Sequence, residues 1–151
     1  MKLLLQRVSR GSVTIEGKVK GSIGKGFVML LGVGRGDTAA DVEFLAKKSA
    51  ALRVFADEQG KLNLSVKDIG GEALVISQFT LYADTRRGNR PGFEPAAPPA
   101  EAKVLYELFL QKLAEQGVPV QCGEFGADMQ VEIINEGPVT IMLESNLAAE
   151  K

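Results

Sequence analysis

A short apolar segment in the middle of the chain limits the possible folds more than any other part of the sequence. Residues 73–76 form an uninterrupted apolar run, and the turn signal Gly70-Gly71 comes just before it. An unbroken apolar run of this length predicts a strand that is buried on both faces, because a half-exposed strand alternates apolar and polar residues. We therefore expect this strand at the centre of the sheet.

Uncharged polar residues follow this strand at once: Ser77, Gln78 and Thr80. If the strand continues, its period of two places side chains alternately on its two faces. One face then carries Ser77, Phe79 and Leu81, and the other carries Gln78, Thr80 and Tyr82. Such side chains either satisfy backbone groups at the strand end or form a functional site on a rigid element.

The rest of the chain alternates apolar segments with turns. Helices are expected at residues 38–52 and 100–116, the second with an apolar stripe of Val104, Leu105, Leu108, Phe109 and Leu113. Further strands are expected at residues 3–8, 12–15, 18–23, 27–31, 53–56, 61–66, 118–122, 129–134 and 141–143. This order predicts a single α+β domain with a mixed sheet over residues 1–144, followed by a frayed tail at residues 145–151.

The composition excludes several kinds of chemistry. The chain of 151 residues contains no histidine, which removes histidine-dependent nucleophiles, acid–base catalysis and zinc ligation. Its single cysteine, Cys122, allows neither an internal disulfide nor a multi-cysteine metal site. We therefore expect no metal and no cofactor, and a cytoplasmic protein. A net charge of −1 means that any nucleic acid must be bound locally.

Two segments are open to more than one interpretation. Gly32-Val-Gly-Arg-Gly36 has the pattern G-x-G-x-G but lacks the third glycine of a dinucleotide loop and the lysine of a phosphate loop. A glycine-rich turn into a helix capped by Asp37 or Thr38 accounts for it, and a phosphate-loop enzyme is the alternative. The cluster of Arg86, Arg87 and Arg90 is either a solvated loop or a phosphate-binding loop.

Two motifs resemble a known family. Ser77-Gln-Phe-Thr-Leu81 and Asn135-Glu-Gly-Pro-Val-Thr140 resemble the two signature motifs of the D-aminoacyl-tRNA deacylases, and the similarity covers residues 1–144 in the family's order. Gly11 stands where the family usually has alanine, and Gly92 where it usually has serine. The resemblance implies a mixed, mostly antiparallel sheet that forms a partial barrel with two main helices.

The resemblance also implies a function. The family hydrolyses the ester of D-aminoacyl-tRNA, and of glycyl-tRNA mischarged on alanine tRNA, to release the amino acid and tRNA. It acts as a cytoplasmic homodimer on the 3′-terminal aminoacyl-adenosine, and we expect neither DNA nor a membrane as a partner. Gly137-Pro138 would have a cis peptide bond, project into the partner's active site and reject L-amino acids sterically.

Site residues carry over from the same resemblance. Ser77 would line the aminoacyl site together with three candidate catalytic residues, Gln78, Phe79 and Thr80. Phe125, Gly126, Ala127 and Met129 resemble the segment that receives the terminal adenine, and Arg7 would fix the Gly137-Pro138 element. Because a threonine without a neighbouring base is a poor nucleophile, we favour attack by water assisted by the ribose 2′-hydroxyl over attack by Thr80. The alternative function is a non-catalytic module that binds RNA 3′ ends.

Overall fold

The computed structural model describes residues 1–145. Their elements in chain order are β1 (Lys2–Ile15), β2 (Lys18–Ile23), β3 (Gly26–Gly32), α1 (Ala39–Ala51), β4 (Phe55–Ala56), β5 (Leu62–Leu64), β6 (Glu72–Ser77), a 3₁₀ turn (Phe79–Tyr82), α2 (Pro99–Glu115), β7 (Val120–Cys122) and β8 (Gln130–Glu144). Of the predicted tail, Ser145 is buried and accepts a hydrogen bond from the amino group of Met1 (3.0 Å), and residues 146–151 lie outside the described part.

The expected mixed sheet is confirmed. Its main path is β2-β1-β3-β6-β7, and β8 pairs with β1 on the other edge. The pairs that β1 makes are antiparallel, whereas β3–β6 and β6–β7 are parallel. The sheet curls until it is nearly closed, and two helices cover one of its faces, which is the predicted α+β partial barrel.

Strand β1 is one continuous element, so the prediction of two strands joined by a tight link was wrong. Its first half pairs with β3, its second half pairs with β2, and β8 runs along the opposite edge. Gly11 lies where the strand passes closely over β3, since a Cβ there would come within 2.7 Å of Val28 Cγ2. The glycine of the presumed link therefore serves close packing within a strand.

Strand β6 is buried on both faces, as its apolar run predicts. Ala73 and Val75 belong to the larger core, which the two helices cover. Leu74 and Ile76 belong to a second, smaller core inside the curled sheet. A strand held from both sides is a rigid support for the residues that follow it.

The two helices pack against the larger core, and the buried face of α2 differs in part from the predicted stripe. Its buried residues are Ala102, Tyr106, Phe109 and Leu113. Val104, which was expected in the apolar stripe, is 64% exposed. Phe109 and Leu113 are buried as expected, and Leu105 and Leu108 are partly buried against the larger core, so the predicted face was wrong at Val104 and missed Ala102 and Tyr106. Helix α1 begins after Thr38, which caps it together with Asp41 in a capping box.

Candidate active site

The backbone changes direction where β6 ends, and this turn forms one wall of the site. The N–H of Gln78 still donates to the carbonyl of Leu31 (2.8 Å), which continues the pairing with β3 by one residue. Phe79–Tyr82 then winds into a 3₁₀ turn, so the predicted strand through Leu81, with its alternating faces, was wrong. The bonds from Leu81 N to Gln78 O (3.2 Å) and from Ala83 N to Thr80 O (3.1 Å) hold the turn together.

Glycines at the end of β3 make room for this turn. A Cβ on Gly32 would come within 3.1 Å of Gln78 O and of Leu81 Cβ, and a Cβ on Gly34 within 2.7 Å of the Tyr82 hydroxyl oxygen. Contacts this short would push the turn away from β3. Packing of the 3₁₀ turn thus accounts for Gly32 and Gly34, and Gly36, with φ of +85°, lies in the turn that leads to α1.

We expect Gly34→Ala to lower the catalytic activity of this site by about tenfold or more, because overpacking here displaces Tyr82 and with it the turn that carries Thr80. The measurement is kcat together with thermal unfolding. The double variant Gly34→Ala/Tyr82→Leu restores space and is expected to regain activity. Gly24→Ala is the matched control, since a Cβ there meets nothing within 4 Å. Full activity in Gly34→Ala would contradict the packing role.

The turn presents a polar group and two unused backbone donors. Gln78 donates a hydrogen bond from its side-chain amide to the hydroxyl oxygen of Thr80. Within residues 1–145, neither the N–H of Phe79 nor that of Thr80 donates a hydrogen bond. Phe79 lines the cavity described next, whereas Thr80 is not among its lining residues. Two adjacent N–H groups without acceptors are suited to bind an oxygen that becomes negatively charged during a reaction.

A cavity of about 620 Å³ brings the two predicted halves of the site together. Ser77, Gln78 and Phe79 lie on one side of it. The segment with Phe125, Gly126, Ala127 and Met129 lies on the other side. The lining has more apolar than polar surface, with Leu31, Val33, Phe93 and Pro98 among its residues. A cleft of this kind is suited to a ligand that joins an apolar ring to a few polar groups.

Tyr106 of α2 supports Phe125 from behind, a role that sequence reasoning missed. The two ring centroids are 5.8 Å apart, and the Tyr106 hydroxyl donates to the carbonyl of Val75 (2.8 Å). Burial raises the pKa of Tyr106 above its usual range, so the phenol keeps the proton that it donates. Phe125 therefore rests on a fixed group. A buried tyrosine at a helical core position carries no sequence signal of this role.

Gly137 and Pro138 project from β8 as an exposed loop. In the pairing with β1, Gln6 lies opposite Thr140 and Val8 opposite Asn135, so the residues between Asn135 and Thr140 bulge out opposite a single residue of β1. The Gly137-Pro138 peptide bond is cis. Neither residue lines the cavity of its own chain.

Three side chains fix the base of this loop. Arg7 donates from Nε to the carbonyl of Glu136 (3.0 Å) and from Nη1 to the carbonyl of Val54 (2.7 Å), so it lies where the resemblance places it, against the loop. Asn135 accepts from Val139 N (3.0 Å) and donates to the Thr140 hydroxyl (2.9 Å). Asn135 and Thr140 both belong to the second motif, but no role was predicted for either of them.

Comparisons with known proteins identify the class. A solved structure described as a structural analysis of a probable eukaryotic D-amino acid tRNA deacylase superposes with a TM-score of 0.79 at 17% identity, covering 95% of this chain and 98% of that one. This likeness shows the fold. A second solved structure, named c-Myc DNA Unwinding Element Binding Protein, superposes with a TM-score of 0.89 at 44% identity over the same shares of the two chains.

Sequence relatives specify the family. The family model described as D-Tyr-tRNA(Tyr) deacylase matches residues 4–144. A protein of Roseiflexus castenholzii named D-aminoacyl-tRNA deacylase is 57% identical over 99% of this chain and 96% of its own length. One of the same name from Ruegeria pomeroyi is 58% identical over 95% of this chain and 99% of its own length. This chain belongs to the D-Tyr-tRNA(Tyr) deacylase family. Among residues 1–145, no helix is long and apolar enough to cross a membrane.

Proposed function

We propose that this protein is an esterase that hydrolyses D-aminoacyl-tRNA to a free D-amino acid and tRNA. The observation that carries the proposal is the cavity that joins the turn at Ser77–Phe79 to the segment around Phe125 in a chain of this family. The relatives from Roseiflexus and Ruegeria, whose names state this activity, support it. We place the enzyme in the cytoplasm, where charged tRNA is used.

The terminal adenosine and the amino acid occupy opposite ends of the cavity in this proposal. Adenine packs against Phe125 and the small residues Gly126 and Ala127, since stacking on an aromatic ring needs little charge. The aminoacyl group extends toward Ser77 and Phe79. The ester carbonyl then lies near the free N–H groups of Phe79 and Thr80, which stabilise the oxyanion.

The proposed chemistry uses water and the substrate's own hydroxyl. The oxygen of a water molecule bonds to the ester carbon, and the bond from that carbon to the ribose 3′ oxygen breaks. The ribose 2′-hydroxyl accepts a proton from the water and passes its own proton to the departing 3′ oxygen. Thr80 takes no part as a nucleophile in this mechanism, because its hydroxyl oxygen accepts a bond from the Gln78 amide and, within residues 1–145, no carboxylate or amine is hydrogen-bonded to it.

The direct test of function is the lifetime of the ester. D-tyrosyl-tRNA is mixed with a catalytic amount of the protein, and free D-tyrosine is measured over time. We expect many turnovers for each protein molecule. The rival function is a module that binds RNA 3′ ends without reaction. Tight binding of the substrate with an unchanged ester lifetime would support that rival.

The role of Thr80 has its own test. Thr80→Val keeps the shape of the side chain and removes the hydroxyl, and we expect it to lower kcat by less than about tenfold, since a single hydrogen bond is removed. A substrate with a 2′-deoxy terminal adenosine is expected to react at least about a hundredfold more slowly, as for loss of a proton-transfer group. Both rates are measured in single-turnover experiments. A covalent ester on Thr80, trapped in the wild-type enzyme, would reverse this assignment.

The proposed functional unit is a homodimer in which Gly137 and Pro138 of one protomer enter the cavity of its partner. Three observations support this arrangement. The loop is exposed, and its tip lies outside the cavity of its own chain. In the described part of the chain, β8 pairs with β1 alone, so its second edge is free. Ile134 and Met142, both on β8, are each 41% exposed.

The same arrangement supplies the proposed proofreading. A backbone carbonyl of Gly137 or Pro138 from the partner lies beside the α-carbon of the substrate and leaves space for a side chain in one direction only. An L-amino acid would direct its side chain at that carbonyl. L-substrates are therefore rejected by steric exclusion, and glycine, which has no side chain, is accepted.

A further inference from the structure

A loop beside the active-site cavity is closed on itself and carries an excess of positive charge. Asp84 and Gly92 join its two ends through two backbone hydrogen bonds, of 2.7 and 2.9 Å. The guanidinium of Arg86 donates to both carboxylate oxygens of Asp84, at 2.9 and 2.8 Å. These bonds lower the pKa of Asp84 to about 2, so this pair remains ionised and cancels its own charge.

The remaining arginines of this loop are free. Arg87 and Arg90 line a cavity of about 630 Å³, in which Glu94 is the one carboxylate besides the paired Asp84. Within residues 1–145, neither arginine makes a hydrogen bond or an ion pair. A guanidinium without a protein partner at a concave surface is available for bidentate contacts to an anion.

This cavity adjoins the active site. Phe93, which follows Gly92 in the loop, lines the active-site cavity and packs edge-on against Phe79, with ring centroids 5.0 Å apart. Arg35 lines the active-site cavity as well, and its Nε donates to the carbonyl of Glu94. The side chain of Arg35 thus links the two cavities.

We propose that Arg35, Arg87 and Arg90, the arginine surface, bind phosphate groups of the single-stranded acceptor end of tRNA as it leaves the active-site cavity. This inference rests on the proposed function. The aminoacyl group carries no negative charge, whereas each nucleotide before the terminal adenosine adds one phosphate. The chain has a net charge of −1, so a local cluster must supply the attraction. The arginine surface has three positively charged guanidiniums and one negatively charged carboxylate, that of Glu94, and so provides this attraction.

A lysine groove is the competing surface. Lys18, Lys20 and Lys103 line a cavity of about 660 Å³ on the other side of Phe125. The same groove contains Glu107 and Glu124, which offset two of the three charges. The loop cavity and the lysine groove are each lined by three basic and two acidic side chains. We assign the phosphates to the arginine surface because planar guanidiniums match the geometry of phosphate and because Arg35 links this surface to the active-site cavity.

The experiment compares two substrates that differ in phosphate content. D-tyrosyl-tRNA contains the acceptor strand, and D-tyrosyl-adenosine contains no phosphate. Arg87→Ala/Arg90→Ala is expected to raise KM for D-tyrosyl-tRNA about three- to tenfold with kcat unchanged. The slope of log KM against log salt concentration is expected to fall by about 0.7 for each phosphate that the variant no longer binds. Hydrolysis of D-tyrosyl-adenosine should proceed at the wild-type rate.

Control variants separate charge at this surface from charge in general. Lys47→Ala/Lys48→Ala removes two exposed charges from α1 and is expected to change neither substrate's kinetics. Arg87→Lys/Arg90→Lys keeps the charge and is expected to restore part of the affinity. An unchanged KM for D-tyrosyl-tRNA in the alanine variant would overturn the inference. So would an equal effect on both substrates, or a larger effect of Lys18→Ala/Lys20→Ala.

If the protein is not a D-aminoacyl-tRNA deacylase, the experiment gives a different result. In that case the wild-type protein hydrolyses neither substrate. The arginine surface is then tested by the Kd of uncharged tRNA, measured over a range of salt concentrations for the wild type and the same variants. Weaker binding by Arg87→Ala/Arg90→Ala, with a smaller salt slope, supports the inference, and equal binding overturns it.

Discussion

Two variants of this protein that each have little activity alone, mixed and allowed to exchange subunits, are expected to reach about a quarter of the wild-type deacylase activity. In the proposed dimer, half of the dimers are then mixed and each mixed dimer has one complete site of two. One variant, Gly137→Ala, has a damaged loop and an intact cavity. The other, Ser77→Phe, has a filled cavity and an intact loop. In a mixed dimer, the intact loop of one chain completes the intact cavity of the other.

The structure provides a physical reason why Gly137→Ala damages the loop. Gly137 has φ of +131°, a conformation that residues with a Cβ rarely adopt. A Cβ there would also lie 2.9 Å from Val139 Cγ2 and 3.0 Å from Arg7 Nη2. The loop must therefore move away from the arginine that holds it. Because the loop is exposed, the displacement leaves both cores intact, and we expect the variant to fold.

The controls establish that exchange occurs and that each variant is folded. Circular dichroism and thermal unfolding are measured for both variants, and mass spectrometry under native conditions counts the mixed dimers. Gly24→Ala mixed with Ser77→Phe sets the reference activity of an intact loop and cavity. If mixed dimers form and remain inactive, Gly137 acts within its own chain and the cross-subunit arrangement is wrong. A fully active monomer would contradict it as well.

The sequence predicts where strands and helices occur more accurately than it predicts where one strand ends and the next begins. Residues 9–11 and 135–140 both contain turn-forming residues, and each segment was expected to separate two strands. In the structure residues 9–11 lie within β1, and residues 136–139 bulge out of β8 opposite Arg7 while the strand continues on both sides of them. Pairing between distant strands outweighs local turn preference here, and a single sequence does not contain that pairing explicitly.

The turn at Phe79–Tyr82 shows the same limit at the site itself. Its residues alternate as a strand does, and the local pattern predicts a strand. The space left by Gly32 and Gly34, far earlier in the chain, allows the backbone to wind against β3 instead. Gly32 and Gly34 can be read from the sequence, but the sequence does not show that they pack against the turn at Phe79–Tyr82.

The sequence predicted which residues form the site better than it predicted how they are arranged. The motif residues around Gln78 and those around Phe125 line one cavity because β6 and β7 are parallel neighbours that end at the same edge of the sheet. Tyr106 was not identified, since an aromatic residue on a buried helix face is usually part of the core. Its hydroxyl bond joins a side chain of α2 to a backbone carbonyl of β6, and a single sequence does not show that pairing.

The protein is expected to hydrolyse D-tyrosyl-tRNA and glycyl-tRNA and to spare L-tyrosyl-tRNA. In the proposed arrangement, the carbonyl of Gly137 or Pro138 from the partner occupies the space that an L side chain needs. A D side chain points away from that carbonyl and toward the open part of the cavity. Selection therefore depends on what is excluded, and no contact with the D side chain is required.

Selection by steric exclusion has a consequence for the smallest substrate, glycyl-tRNA. A pocket cannot strongly reject a molecule smaller than the one it accepts, because the smaller molecule meets no barrier. Glycine has no side chain to exclude, so we expect glycyl-tRNA to react within about tenfold of the D-tyrosyl rate. L-tyrosyl-tRNA is expected to decay at its uncatalysed rate, since its ester cannot reach the N–H groups of Phe79 and Thr80.

The measurement uses equal amounts of the three substrates over a wide range of enzyme concentration, with each ester followed by its own label. Gly137→Ala supplies the matched variant, in which displacement of the loop is expected to slow the D-substrate and to reduce the ratio of D to L rates. If glycyl-tRNA proves as resistant as L-tyrosyl-tRNA in the wild type, the cavity must recognise the D side chain by contact. Steric exclusion by the partner's loop would then be the wrong mechanism, and the residues opposite that loop, from Ser77 to Phe79, would become the candidates for recognition.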